Sequence, residues 1–225
     1  MPWPDPETLP AVLSAEGYQW LSCAMRELEQ SSDKFDSYLK LSAVARRKVG
    51  DGAFAKQLPH WTCADAARFF LLQKVLVKED LVACVCEAYR YGDELEKAAI
   101  LKGLYLHDEE GELVELAVSS CRTNSFLLFS AIAENNPYPA LNYTDSAFNQ
   151  MVLKALFLGF DVGCIVNLQR RKNVTLTTMC MDYLKERLAA GRSIPNSIWM
   201  AMELCELNTE DRGLYLQCLG DVGGR

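Results

Sequence analysis

The sequence predicts an all-α protein, built either as stacked antiparallel helical hairpins of a HEAT-like α-solenoid or as a compact helical bundle. Three observations carry this. Apolar residues recur at three- and four-residue intervals through most of the 225 residues. Helix-capping side chains at Ser14, Thr62, Thr144 and Asn173 stand just ahead of those runs. Valine and isoleucine nowhere alternate with polar residues between hairpin turns, so strand content is expected to be small.

Residues 1–12 hold Pro2, Pro4, Pro6 and Pro10 and read as an extended arm. Residues 13–220 read as a single helical domain, and 221–225 as a frayed glycine tail. After Ser14, Trp20, Leu21, Ala24, Met25 and Leu28 lie at helical spacing. "DSYLKLSAVARRKVG" supplies a second helix stopped at Gly50. Past the connection "DGAFAKQLPHW", an apolar helix is predicted over Thr62 to Lys78, with Asp65 three residues after Thr62 to complete a capping box. Shorter helices follow in "DLVACVCEAYRY", "ELEKAAILKGLYL", "ELVELAVSSCR" and "SFLLFSAIAEN", each with one apolar face and a polar turn behind it.

The order then changes. Asn135-Asn136-Pro137-Tyr138-Pro139 cannot continue a helix, because proline removes a donor and drives the residue before it toward extended geometry. Thr144 or Asp145 caps the next helix, which runs to about Gly159 and is apolar except at Gln150 and Lys154; Phe157 and Leu158 are expected to be buried with the rest. Asn149 falls between Leu153 and Leu156, so its amide enters the interior and needs partners there. Either it ties down the irregular "NNPYPALNY" backbone, or Asn135, Asn136, Tyr138, Asn149 and Lys154 converge on a ligand. A basic corner, Arg170-Arg171-Lys172, precedes a helix capped by Asn173 and ending at Gly191. On it Asp182 and Glu186 lie four apart and call for a cation, with Arg171, Arg187 and Arg192 as candidates. "SIWMAMELCELNTEDRGLYLQCLGDVGGR" closes the chain with one or two helices.

Composition excludes several classes. The formal charge of −7 gives no basic face for nucleic acid. A signal-like start and an unbroken run of eighteen apolar residues are both lacking, so a cytoplasmic protein is expected, at a membrane only through a partner. Nine scattered cysteines read as reduced core thiols, and Cys84-x-Cys86 has no second ligand pair. His60 and His107 are the two histidines, too few for a His-rich metal site. "HDEEGE" from His107 and the Asp33-x-x-Asp36 spacing read as solvated turns. The sequons at Asn142 and Asn173 matter only in a secretory context. Phosphate loops and dinucleotide fingerprints are missing, and neither metal nor cofactor is expected.

"ENNPYP", then "FNQMVLKALF", then a basic lead into "MDYLKERLAAGR" is a specific combination. Over Leu81 to Trp199, and more faintly at "LSAEGYQWL", the sequence resembles the EboA family. That resemblance implies a helical protein of specialised-metabolite biosynthesis or precursor trafficking, which binds an apolar or prenylated intermediate. It implies company with a UbiA-like membrane prenyltransferase and other pathway enzymes. Carried onto this chain, the family motif marks Asn135, Asn136, Tyr138, Asn149, Gln150, Lys154, Arg171 and Arg187 as ligand-binding positions. It marks Asp182 and Glu186 as well. The alternative activity is a metal-independent isomerisation or cyclisation in the same interhelical pocket, with Lys154, Asp182 or Glu186 handling protons. Where the family pattern has Ala-Arg after the second proline, this chain has Ala140-Leu141 and lacks any anion contact that arginine would make.

Overall fold

Many helix starts follow side-chain caps written into the sequence. In the computed structural model, which describes residues 4–56 and 58–223, about 71% of the chain is helical, with thirteen α-helices and one two-stranded sheet among the described residues. The expected all-α class is what forms. The chain separates into two compact units, the first ending at Ile132 and the second beginning at Ala133.

The first unit departs from expectation at once. Residues 1–12, expected to be extended, contain a 3-10 turn at Pro6–Thr8 and α1, Leu9–Val12. Pro6 and Pro10 sit in the first turn of these helices, where a missing N–H costs nothing, and Leu9 is buried. Residues 1–3 of that arm lie outside the described residues. Ser14 accepts the Gly17 amide and opens α2, Ala15–Gln30, which buries Leu21, Ala24 and Leu28. Asp33 accepts the Asp36 amide and opens α3, Lys34–Val49, so the Asp-x-x-Asp spacing is a cap; Gly50 ends the helix at φ +81°.

The connection after Gly50 is a hairpin, β1 Ala53–Ala55 against β2 Leu58–Thr62. It buries Phe54 and Trp61. Thr62 and Asp65 complete the expected capping box on α4, Cys63–Gln73. That helix stops short of Lys78: the amides of Lys74 and Val75 tighten onto Leu71 and Leu72, ahead of β-branched Val75 and Val77. Next come α5, Leu81–Tyr91; α6, Glu94–His107, with an Asp93–Glu96 capping box; α7, Val114–Cys121; and α8, Phe126–Ala133. α4, buried along nearly its whole length, packs against α3 and α6. The Asp108 carboxylate accepts the amides of Glu112 and Leu113, so "HDEEGE" is a clasped turn.

The second unit holds α9, Tyr138–Asn142; α10, Asp145–Leu158; α11, Leu168–Arg171; α12, Val174–Ala189; and α13, Thr209–Gly223, with 3-10 turns at Val162–Cys164, Ile198–Ala201 and Leu204–Glu206. Thr144 caps α10 and Gly159 closes it in the left-handed region at φ +81°. α10 packs on α12, and α12 and α11 pack on the Ile198–Ala201 turn. Phe157 and Leu158, expected in the core, project from the end of α10, and Phe157 is 69% exposed. The expected frayed tail begins inside α13, which runs to Gly223; Gly224 and Arg225 lie outside the described residues. Among the described residues no helix is long and apolar enough to cross a membrane.

Candidate functional site

The double-asparagine corner is a fastened turn. Asn135 takes φ +52°, a left-handed conformation that asparagine tolerates, and its N–H donates to the Cys164 carbonyl at 2.8 Å. The buried Asn136 accepts the Tyr138 amide at 3.0 Å, which restores a partner to backbone that the prolines deprive of one. Tyr138 is fully buried, and Asn142 Nδ2 donates back to its carbonyl.

Arg171 holds the next stretch. Its Nη1 donates to the Ala140 carbonyl at 2.8 Å, and its Nη2 to the Tyr143 carbonyl and Asp145 Oδ1, both at 2.9 Å. The guanidinium also lies 4.6 Å from the centre of the Phe148 ring. Planar, multidentate geometry of this kind suits arginine and not lysine. One turn further along α10, the buried Asn149 and the α12 cap Asn173 exchange hydrogen bonds, each amide nitrogen donating to the other's oxygen at 3.1 Å. Asn173 Oδ1 also accepts the Leu176 amide. Asn149 therefore braces α10 against the start of α12, not against "NNPYPALNY".

Gln150, Leu153, Lys154 and Phe157 occupy one face of α10 at i, i+3, i+4 and i+7. Across from them Tyr183, Glu186 and Arg187 share a face of α12, and with Arg192 these residues enclose a groove of about 460 Å³. Leu153, Phe157 and Tyr183 supply apolar wall; Lys154, Arg187 and Arg192 set three cations against the single carboxylate of Glu186. Arg187 is positioned by its own loop: Nε and Nη2 both donate to the Ser193 carbonyl, and the guanidinium lies 5.7 Å from the Tyr183 ring centre. A second groove of about 640 Å³ continues past the end of α10, with Leu158, Phe160, Ile194, Pro195 and Met200 in its walls. Phe157 and Arg187 belong to both.

Of the residues marked from sequence, the structure thus brings Gln150, Lys154, Glu186 and Arg187 together. Asn135, Asn136 and Tyr138 build the corner, Asn149 pairs with Asn173, and Arg171 is engaged with the α9–α10 backbone. Asp182 is exposed on α12 beside Lys185, whose pKa is held above its usual value first by the Asp211 carboxylate and in smaller part by Asp182. Leu153, Phe157 and Tyr183 were not marked; the face shared by positions 150, 153, 154 and 157 could have found the first two.

A buried charged cluster in the first unit also escaped the sequence reading. Lys102 Nζ donates to Asp65 Oδ2 at 2.6 Å with both side chains largely out of solvent. The same oxygen also accepts the Thr62 amide at 2.8 Å in the capping box, so Asp65 Oδ2 serves the cation and the helix start together. Arg68 Nε donates to the Ser42 carbonyl at 3.3 Å, and Ser42 Oγ to Glu96 Oε1 at 2.7 Å. Burial raises the pKa of the neighbouring Tyr38 well above its ordinary value. His60 is pushed down to about 4, by burial first and then by the Lys102 charge. A lysine inside the apolar run "AAILKGLYL" was the available signal. His107 stacks on Phe69 at 4.5 Å between ring centres, its Nε2 turned toward the bare Cα of Gly103, and burial pushes its pKa to about 4. Among the described residues no group of three or more His, Cys, Asp or Glu side chains is placed to hold a metal ion.

The family model for metabolite traffic protein EboA matches residues 7–203. The chain belongs to the EboA family. The match takes in most of the unit ending at Ile132 and all of α9 to α12 in the second, a wider span than the motifs around "ENNPYP" alone. No curated protein and no solved structure was found to match the chain. The family's name points to a role in metabolite traffic.

Proposed function

We propose that the groove between α10 and α12 holds an apolar or prenylated intermediate of specialised-metabolite biosynthesis while it passes between enzymes. The observation that carries this reading is Phe157, an aromatic ring 69% exposed at the lip of a groove whose wall it shares with Leu153 and Tyr183. Leaving that ring in water forgoes a burial worth on the order of 2 kcal/mol, a cost a ligand would recover. The groove volume of about 460 Å³ falls within the usual span for small-molecule sites. Handing the ligand to a membrane prenyltransferase or another pathway enzyme fits a site that is open at one side.

The test is binding of the neutral dye Nile red, followed by fluorescence, to the protein and to Phe157→Ser and Leu153→Asn. Saturable binding weakened about tenfold or more in both variants, with unchanged thermal unfolding, is the expected result. Binding that ignores both substitutions removes the groove from consideration.

A second reading, turnover within the same groove, rests on Lys154 and Glu186 lying in one lining. There the amine and carboxylate would transfer a proton between two carbons of the bound intermediate. Conversion of a pathway metabolite by the purified protein, abolished in Lys154→Met and in Glu186→Gln, supports it; no conversion by the wild-type protein rejects it.

A further inference from the structure

We infer that the ligand is a single-chain amphiphile with an acidic head, phosphate or carboxylate, seated among Lys154, Arg187 and Arg192, and an apolar tail that crosses Phe157 into the second groove. The inference rests on the reading of the α10–α12 groove as a binding site, and deepens it by naming the ligand class. Two independent features support it. The first is charge. In a protein of formal charge −7, the lining of this groove gathers three cations and one carboxylate, so the local sign opposes that of the molecule. Arg187 is also pre-aimed: with Nε and Nη2 on the Ser193 carbonyl, its guanidinium is held in place before any ligand arrives, which spares the ordering cost of a long side chain. Guanidinium groups favour phosphate and carboxylate oxygens over neutral acceptors.

The second feature is continuity. The cationic groove and the larger groove beyond it share Phe157 and Arg187 as common wall. Past that partition the wall gains Leu158, Phe160, Ile194, Pro195 and Met200, beside the polar Asp161, Asn196 and Ser197, and Leu158 and Met200 are substantially exposed. A head group alone would leave this apolar surface in water, and a tail alone would leave the cations facing hydrocarbon. A molecule carrying both satisfies each part, with Phe157 lying against the chain where the two grooves meet.

The experiment compares decyl phosphate, decanol, decylamine and hexyl phosphate, all below their micellar concentrations, by calorimetry on the intact chain. Decyl phosphate is expected to bind about tenfold or more tightly than decanol, and decylamine more weakly than either. Lys154→Met together with Arg192→Gln should reduce the phosphate preference to about twofold or less. Hexyl phosphate should bind about tenfold or more weakly than decyl phosphate, and Met200→Gln should shrink that ratio while leaving hexyl phosphate affinity unchanged. Equal affinity for decyl phosphate and decanol overturns the acidic-head assignment while leaving an apolar groove intact. A chain-length ratio indifferent to Met200→Gln overturns the tail path. Absence of binding by every probe overturns both this inference and the groove itself. Co-sedimentation with vesicles of phosphatidic acid in phosphatidylcholine, lost in Arg192→Gln and unaccompanied by binding of monomeric decyl phosphate, would make the face a bilayer contact and overturn the single-chain ligand.

Discussion

Asn149 on α10 and Asn173 at the start of α12 form a reciprocal amide pair, each nitrogen donating to the other's oxygen at 3.1 Å with Asn149 fully buried. A buried amide that loses its partner carries its desolvation cost uncompensated. Asn149→Ala is therefore expected to destabilise the fold by about 1–3 kcal/mol. Asn173→Ala should cost more, by about 1 kcal/mol, because it also removes the side-chain cap on the Leu176 amide. Denaturant titration of both single variants and the double variant checks this; strictly additive losses would show that the pair is not an energetic unit.

Arg171 joins two backbone carbonyls, a carboxylate and an aromatic face, a set that an ammonium group cannot reproduce. Arg171→Lys is expected to lower stability by about 2–3 kcal/mol. Its effect on ligand affinity in the α10–α12 groove should be small once the variant is folded. Stability unchanged in urea titration, with ligand binding lost, would assign Arg171 to the ligand instead of the corner.

The Lys102–Asp65 pair sits where each charge depends on the other. Lys102→Met leaves the buried Asp65 carboxylate without its cation, a loss of about 3–5 kcal/mol. Adding Asp65→Asn should restore part of it, since the buried charge disappears with its partner, although the capping box is weakened. Guanidinium unfolding of the two variants measures the sign of that second step; a double variant less stable than Lys102→Met alone would contradict it.

His107 predicts a pH dependence. Its native pKa is about 4, below the unfolded value of about 6.5, so between those values the unfolded chain binds a proton that the native chain does not. The stability from its neutral burial is complete above about pH 6.5 and is lost as pH falls toward 4. The loss is on the order of 3 kcal/mol. His60, pushed down to about 4 but less deeply buried, acts in the same direction. Unfolding free energies at pH 7.5, 6, 5 and 4.5 should decline through this window, and His107→Gln should flatten the slope. An equal slope in the variant would place the titration elsewhere.

Much of the architecture was legible along the chain because helix starts are local events. Ser14, Thr62, Thr144 and Asn173 each accept an amide three residues ahead, and Gly50 and Gly159 each adopt the positive φ that ends a helix. The hairpin at Ala53–Thr62 was not legible, since its strands are too short for alternation to declare itself and Phe54 and Trp61 gain their burial from packing on α4. Within the candidate site, the sequence marked Gln150, Lys154, Glu186 and Arg187, all of which line the groove. The interior position of Asn149 followed from its place on the helical wheel, whereas its partner Asn173, twenty-four residues away, did not.

The sequence by itself determined the helical class, most of the caps, the buried amide on α10 and membership of the EboA family, because periodicity, capping and motif order are properties of neighbouring residues. Tertiary structure alone decided which polar side chains are used up and which face a groove. Arg171 and Arg187 are both arginines in the last turn of a helix, yet one is committed to carbonyls of the α9–α10 segment and the other is aimed by Ser193 beside Phe157. That difference depends on which distant backbone atoms and rings lie within about 3–6 Å once the helices pack, a quantity that no local pattern encodes.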